Sequence, residues 1–121
     1  MKNHNKINYV EFHSHDISAS KAFFQKAFGW SFTDYGAEYS DFSGEGLDGG
    51  FFPSDKVLTA SNGAPLIIFY SEALEETLGT VKAAGGEISR EIFDFPGGRR
   101  FHFVEPGGNE LAVWGEPAEP A

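Results

Sequence analysis

Residues 96–114 read PGGRRFHFVEPGGNELAVW, and the architecture can be built from them. Pro96-Gly97-Gly98 and Glu105-Pro106-Gly107-Gly108-Asn109 are turn sequences, since Pro presets φ and Gly accepts the positive φ that tight turns need. Between the turns Phe101 and Phe103 alternate with Arg100, His102 and Val104. After the second, Leu111 and Val113 alternate with Glu110, Ala112 and Trp114. Successive strand side chains point to opposite faces, so one sheet face is apolar and the other mixes charge with aromatic rings. That second face, carrying Arg100, His102, Glu110 and Trp114, is a candidate pocket wall. Alternation assigns Arg100 rather than Arg99 to it. No helix N-terminus follows Pro96-Gly97-Gly98, which reads as a hairpin turn and not as a phosphate cradle.

The segment from Ile7 to His15 also alternates, with Val10 and Phe12 on one face and Tyr9, Glu11, His13 and His15 on the other. Asp16 is a helix N-cap, Ile17, Ser20, Phe23, Phe24, Ala27 and Phe28 form a helical stripe, and Gly29 ends it. Strands are expected at Trp30–Tyr35, Glu38–Phe42 and Leu47–Phe52, then a loop over Ser54–Ala64. The order then repeats: a strand at Pro65–Tyr70, and a helix opened by Ser71 or Glu72 with Leu74, Leu78, Val81 and Ala84 inward. Gly85-Gly86 closes it, before strands at Glu87–Phe93, Arg99–Val104 and Glu110–Trp114. A shift of 57 positions sets Asp16 on Ala73 and Gly29 on Gly86. Two copies of one strand-helix-three-strand unit, residues 7–53 and 65–115, make a single domain spanning 1–121. The polar start, Met1–Lys6, reads as a frayed end, and the tail GEPAEPA has the composition of disorder.

Composition narrows the partners. Eighteen acidic against 9 basic residues leave a net charge of −9, which repels phosphate backbones and anionic lipid, so neither nucleic acid nor membrane is an expected partner. The absence of cysteine removes disulfides, thiolate nucleophiles and Cys-zinc sites, and suits a cytoplasmic location. No stretch has a signal-peptide core or spans a bilayer. Thirteen Phe imply aromatic packing or an aromatic-lined cavity.

These units resemble the vicinal oxygen chelate superfamily, which includes glyoxalase I, extradiol dioxygenases and fosfomycin- and bleomycin-resistance proteins. The resemblance lies in VEFHSHDISASKAFFQKAFGW, in DGGFF, and in GGRRFHFVEPGGNELAVW, whose EPGGN turn is similar to the family's D-P-x-G-N with Glu105 in the Asp place. It implies an α+β fold of two βαβββ units around an open cleft, and a divalent metal acting there as a Lewis acid on two substrate oxygens. The positions that match the family's ligands are Tyr9, Leu66, Ala112 and the Gly49-Gly50-Phe51 segment, and none supplies a good donor. No metal or other cofactor is therefore expected at those positions. A shifted set of Glu11, His13, His102 and Glu110 has the chemistry, provided all four converge on one ion.

Each candidate also has a plainer reading. Glu11 is either a partly desolvated general base or the partner of Arg99 or Arg100 in a structural ion pair. His15 is a solvated strand-end residue, and His13 stays open. Arg100 suits an anionic substrate group through paired hydrogen bonds. Tyr9 and Trp114 either stack on a ligand or fill the cleft or a dimer interface. The leading expectation is a homodimeric glyoxalase/bleomycin-resistance-like protein. It binds a small molecule among Tyr9, Glu11, His13, Arg100, His102, Glu110 and Trp114, without the usual metal. The alternatives are a lyase or isomerase with Glu11 as base, lactoylglutathione lyase-like, and an interaction module whose cleft is filled by its own Phe rings.

Overall fold

A computed structural model describes residues 3–56 and 58–118. The first unit runs β1 (Tyr9–Ser14), α1 (Ile17–Phe28), β2 (Thr33–Asp34), β3 (Ser40–Glu45) and β4 (Leu47–Pro53). After a 3₁₀ turn at Ala60–Asn62, the second runs β5 (Ile67–Tyr70), α2 (Leu74–Ala83), β6 (Glu87–Phe95), β7 (Gly98–Val104) and β8 (Glu110–Gly115). The sheets have orders β1-β4-β3-β2 and β5-β8-β7-β6, with the outer pairs β1–β4 and β5–β8 parallel and the rest antiparallel. The doubled α+β unit is therefore as expected.

Local chemistry explains the helix ends. The Asp16 carboxylate accepts from the Ala19 N–H at 3.1 Å, and Gly29 at φ 74° closes α1 with its N–H on Gln25 O. Helix α2 has no such side-chain cap at Ala73 and starts later than expected, at Leu74. Trp30 was expected in a strand. It is instead buried in the core, stacked on Phe24 and Phe42 at 4.5 and 4.3 Å, and β2 shrinks to Thr33–Asp34. The expected disorder of the tail is corrected at its start: Gly115 ends β8 and Glu116 accepts from the Tyr70 hydroxyl at 3.1 Å. Residues 119–121, Met1, Lys2 and Val57 lie outside the described residues.

Helix α1 joins the two sheets into one core. Phe24 meets Phe51 of the first sheet at 5.6 Å, while Phe23 meets Phe103 at 5.6 Å and Phe28 stacks on Phe69 at 4.3 Å in the second. Most of the phenylalanines are spent here, leaving Phe52, Phe93 and Phe95 outside the core cluster. Among the described residues no helix is long and apolar enough to cross a membrane.

The units are also joined by a buried polar latch. Glu105, 1% exposed, accepts from Ser20 Oγ at 2.8 Å, the Gly107 N–H at 2.6 Å and Asn109 Nδ2 at 2.6 Å. Asn109 Nδ2 also donates to His13 O at 2.7 Å, and the His15 N–H donates to Gly107 O at 2.8 Å. A Cβ on Gly107 would overlap the Ser14 and Ser20 hydroxyls, so glycine is needed there. The EPGGN turn thus clamps the second unit onto the end of β1 and the start of α1. Burial pushes the Glu105 carboxyl above its ordinary value, against the three donors that lower it.

Glu105→Gln replaces an oxygen, which keeps an accepting lone pair even when protonated, with an NH2 that only donates, and is expected to cost about 1–3 kcal/mol in denaturant unfolding. A carboxyl whose folded pKa is raised contributes fully below its unfolded value and loses that contribution as pH rises through the folded one. The gap between wild type and Glu105→Gln should therefore narrow from pH 5 to pH 8. A gap that widens over that range contradicts the assignment.

Candidate functional site

With the core on the helix side, the opposite face of each sheet carries the polar set. On the first sheet Tyr9 Oη lies 2.6 Å from Tyr39 Oη, and Tyr39 donates to Glu11 Oε2 at 3.0 Å. Gly50 makes this cluster possible, because a Cβ there would overlap the Tyr39 hydroxyl. Burial, then the bonds to Tyr9 and Glu11, push the Tyr39 phenol up. His13 is half-buried, its Nδ1 is 2.8 Å from Ser54 Oγ, and its ring lies 4.4 Å from Phe52. His15 is exposed at the strand end, with Nε2 2.9 Å from Lys56 O, as its solvated reading requires.

On the second sheet His102 Nδ1 faces Glu110 Oε2 at 3.5 Å. Glu110 is held by the Ala60 N–H at 2.8 Å and Ser89 Oγ at 3.0 Å. Burial raises the Glu110 carboxyl, but Ala60, Ser89 and His102 outweigh it, and the net shift is downward. Burial and then the Arg100 charge push His102 below its ordinary 6.5, with Glu110 only partly offsetting them. His102 is 7% exposed and packs against Phe93, with ring centroids 5.8 Å apart, and Arg90 stacks on Phe93 at 3.5 Å.

Arg100 lies over Phe93 and Phe95, 5.4 and 5.5 Å from the ring centroids. A cavity of about 360 Å³ opens beside it, lined by Ile68, Phe95, Gly97, Arg100 and Trp114. Trp114 is half-buried, edge-on to Tyr70 at 4.9 Å and to Phe95 at 6.4 Å. The ion pairs among the described residues are Lys21–Asp34, Arg99–Glu75 and His102–Glu110, so Arg100 has no carboxylate partner there.

Several expectations need correction. Glu11 is exposed, and its partner is Tyr39 rather than Arg99 or Arg100. Arg99 points to α2 and pairs with Glu75 through both terminal nitrogens. Glu11, His13, His102 and Glu110 do not all converge: Glu11 holds Tyr39, His13 holds Ser54, and His102 and Glu110 meet each other, and among the described residues no three His, Asp or Glu are placed to hold a metal. Glu11 and Glu110 do share one small cavity of about 110 Å³ at the seam between the units. At the family positions, Ala112 is fully buried with no donor atom, Leu66 offers none, and Gly50 faces the tyrosine hydroxyls. Tyr9, the one family position with a donor atom, spends its hydroxyl on Tyr39, so the residues at those positions do not fit a metal.

Sequence reasoning missed Tyr39, Ser89, Arg90, Phe93 and Phe95 as parts of this face. Register shifts between Ile88 and Arg90 and between Arg90 and Phe93 break the alternation of β6, which carried the only signal for the last three.

A family model of the Glyoxalase/Bleomycin resistance protein/Dioxygenase superfamily matches residues 6–113. No curated protein matches the chain. Solved structures similar to it include a glyoxalase-related enzyme from Fulvimarina pelagi, with TM-score 0.77, 18% identity and 96% and 91% of the two chains covered. A genomically encoded fosfomycin resistance protein from Listeria monocytogenes aligns with TM-score 0.75 and 21% identity over 92% of this chain and 93% of its own. A lactoylglutathione lyase from Agrobacterium tumefaciens aligns with TM-score 0.71 and 15% identity over 92% and 93%. At these identities the likeness is one of fold.

An imidazole NMR titration tests the electrostatics of this face. The His102 midpoint should lie below 6.5, and Arg100→Met should move it upward by removing a nearby positive charge. An unchanged midpoint in that variant contradicts the placement of Arg100.

Proposed function

The chain belongs to the Glyoxalase/Bleomycin resistance protein/Dioxygenase superfamily, and from that membership we propose a protein that binds a small, flat, anionic molecule through Arg100. One observation carries the reading. In a chain of net charge −9, Arg100 lacks a carboxylate partner among the described residues and lies against aromatic rings at the edge of a cavity. A guanidinium packed on ring faces keeps its N–H edge free to grip a carboxylate in a paired geometry. Phe95 and Trp114 supply a surface on which a planar ligand can lie. The cytoplasm is the proposed location, as suits a chain with no cysteine.

The alternative, a metal-assisted lyase or isomerase with Glu11 as base, meets a donor set that does not fit a metal. The interaction-module reading draws support from Phe93, which fills the face over His102, yet the cavity beside Arg100 stays open.

Isothermal titration with benzoate, and with benzyl alcohol as the uncharged control, tests the proposal. Benzoate should bind and benzyl alcohol should not. Arg100→Met should weaken benzoate by at least about tenfold, the worth of a hydrogen bond to a charged group at about 1.5–3 kcal/mol. Equal affinity in wild type and Arg100→Met removes the reading.

A second copy of the chain is the proposed protein partner. Its support is the apolar rim along the edge strands β1 and β5: Ile68 and Tyr70 are 43% and 50% exposed beside a groove of about 430 Å³ lined by Val10, Phe12, Phe42, Ile67 and Phe69. Light scattering should give a dimer for wild type and a monomer for Ile68→Lys. A monomeric wild type contradicts the pairing.

A further inference from the structure

Three buried side-chain polar atoms among the described residues lack a hydrogen-bond partner: Nε of Arg99, Nε of Arg100 and Nε2 of His102. Arg99 already commits its terminal nitrogens to Glu75. The other two belong to residues two apart on β7, so their side chains leave the same face of the sheet.

The tautomer of His102 follows from its neighbour. Glu110 is anchored by the Ala60 N–H and Ser89, and a carboxylate only accepts. The contact from Nδ1 to Oε2 is favourable when Nδ1 carries the proton. A neutral ring then presents a bare lone pair at Nε2, an acceptor removed from water and given no donor by the protein. Arg100 presents the opposite need, a donor edge without an acceptor.

We infer that Arg100 and His102 together read a hydroxylated aromatic acid, with its carboxylate on the guanidinium and its hydroxyl donating to His102 Nε2. This rests on the reading of Arg100 under the proposed function and adds a second point of recognition. Two residues along a strand span about 7 Å at a rise of about 3.3 Å per residue, close to the reach across a benzene ring between a carboxylate and a hydroxyl. Phe95 and Trp114 line the cavity at the Arg100 end and favour a flat body there, while Phe93, cross-strand from Arg100, stands between that cavity and His102. Phe93, with Arg90 stacked on it, lies over His102, so the hydroxyl reaches Nε2 when that ring turns aside. Phe93 is therefore a gate on the second contact, while its ring also packs against the Arg100 guanidinium of the first.

Calorimetry on the full chain with benzoate, 3-hydroxybenzoate and 4-hydroxybenzoate is the test. One hydroxybenzoate should bind about three- to tenfold tighter than benzoate, the worth of one neutral hydrogen bond. His102→Phe should abolish that preference, read as the ratio of hydroxybenzoate to benzoate affinity within the variant, and Phe93→Ala should enlarge it. If His102→Phe does not fold, the imidazole ¹⁵N shifts of wild type replace it. Nε2 should then read as unprotonated and move with the hydroxybenzoate but not with benzoate. Equal affinity for all three acids in both wild type and Phe93→Ala, or a proton on Nε2, overturns the His102 contact while leaving Arg100 in place. Failure of every aromatic acid to bind overturns the Arg100 reading, and this one with it.

Discussion

A single buried carboxylate sets how the two halves of the molecule meet. Glu105 gives up hydration at the β7–β8 turn, and such burial is tolerated only where donors replace water. Ser20, Gly107 and Asn109 do so; Ser20 belongs to the first unit, and Gly107 and Asn109 are tied to it through the His15 N–H and His13 O. Losing the network would free the second unit to shift against β1. The seam cavity shared by Glu11 and Glu110 is also lined by Asn109 of the latch.

The aromatic core follows from the same arrangement. Because α1 lies across both sheets, Phe23, Phe24 and Phe28 bury their rings against each of them, and each sheet keeps one face free of the core. The polar residues on the free faces sort into two sets with different characters. Tyr9, Tyr39 and Glu11 form an exposed chain of hydroxyls ending on a carboxylate. Arg100, His102 and Glu110 form a drier set in which a cation and a lone pair stand unmatched. Unmatched buried groups are costly, and the second set is therefore where a ligand has most to offer.

Much of the fold was legible because its signals are local. Alternation at Arg100–Val104 and Glu110–Trp114 placed Phe101, Phe103, Leu111 and Val113 in the core, where all four are fully buried. Asp16 and Gly29 marked the ends of α1 correctly. What was not legible depends on distant partners. Glu105 reads as a turn residue, and nothing near it announces that Ser20, 85 positions away, completes its site. Trp30 has strand propensity, but three-dimensional packing between Phe24 and Phe42 decides its place. The candidate site was only half visible: the alternating strands named Arg100, His102 and Glu110, while the register shifts of β6 hid the rings that cover and flank them.

The central claim is that Arg100, without a carboxylate partner among the described residues, takes up an anion from solution. The side-chain Nε–H resonances of the arginines, followed by ¹H–¹⁵N correlation while benzoate is added, report on it directly. The Arg100 resonance should shift saturably, with Arg99, paired to Glu75, held still. An Arg100 signal that stays fixed at saturating benzoate, or one that moves no more than Arg99, contradicts the account.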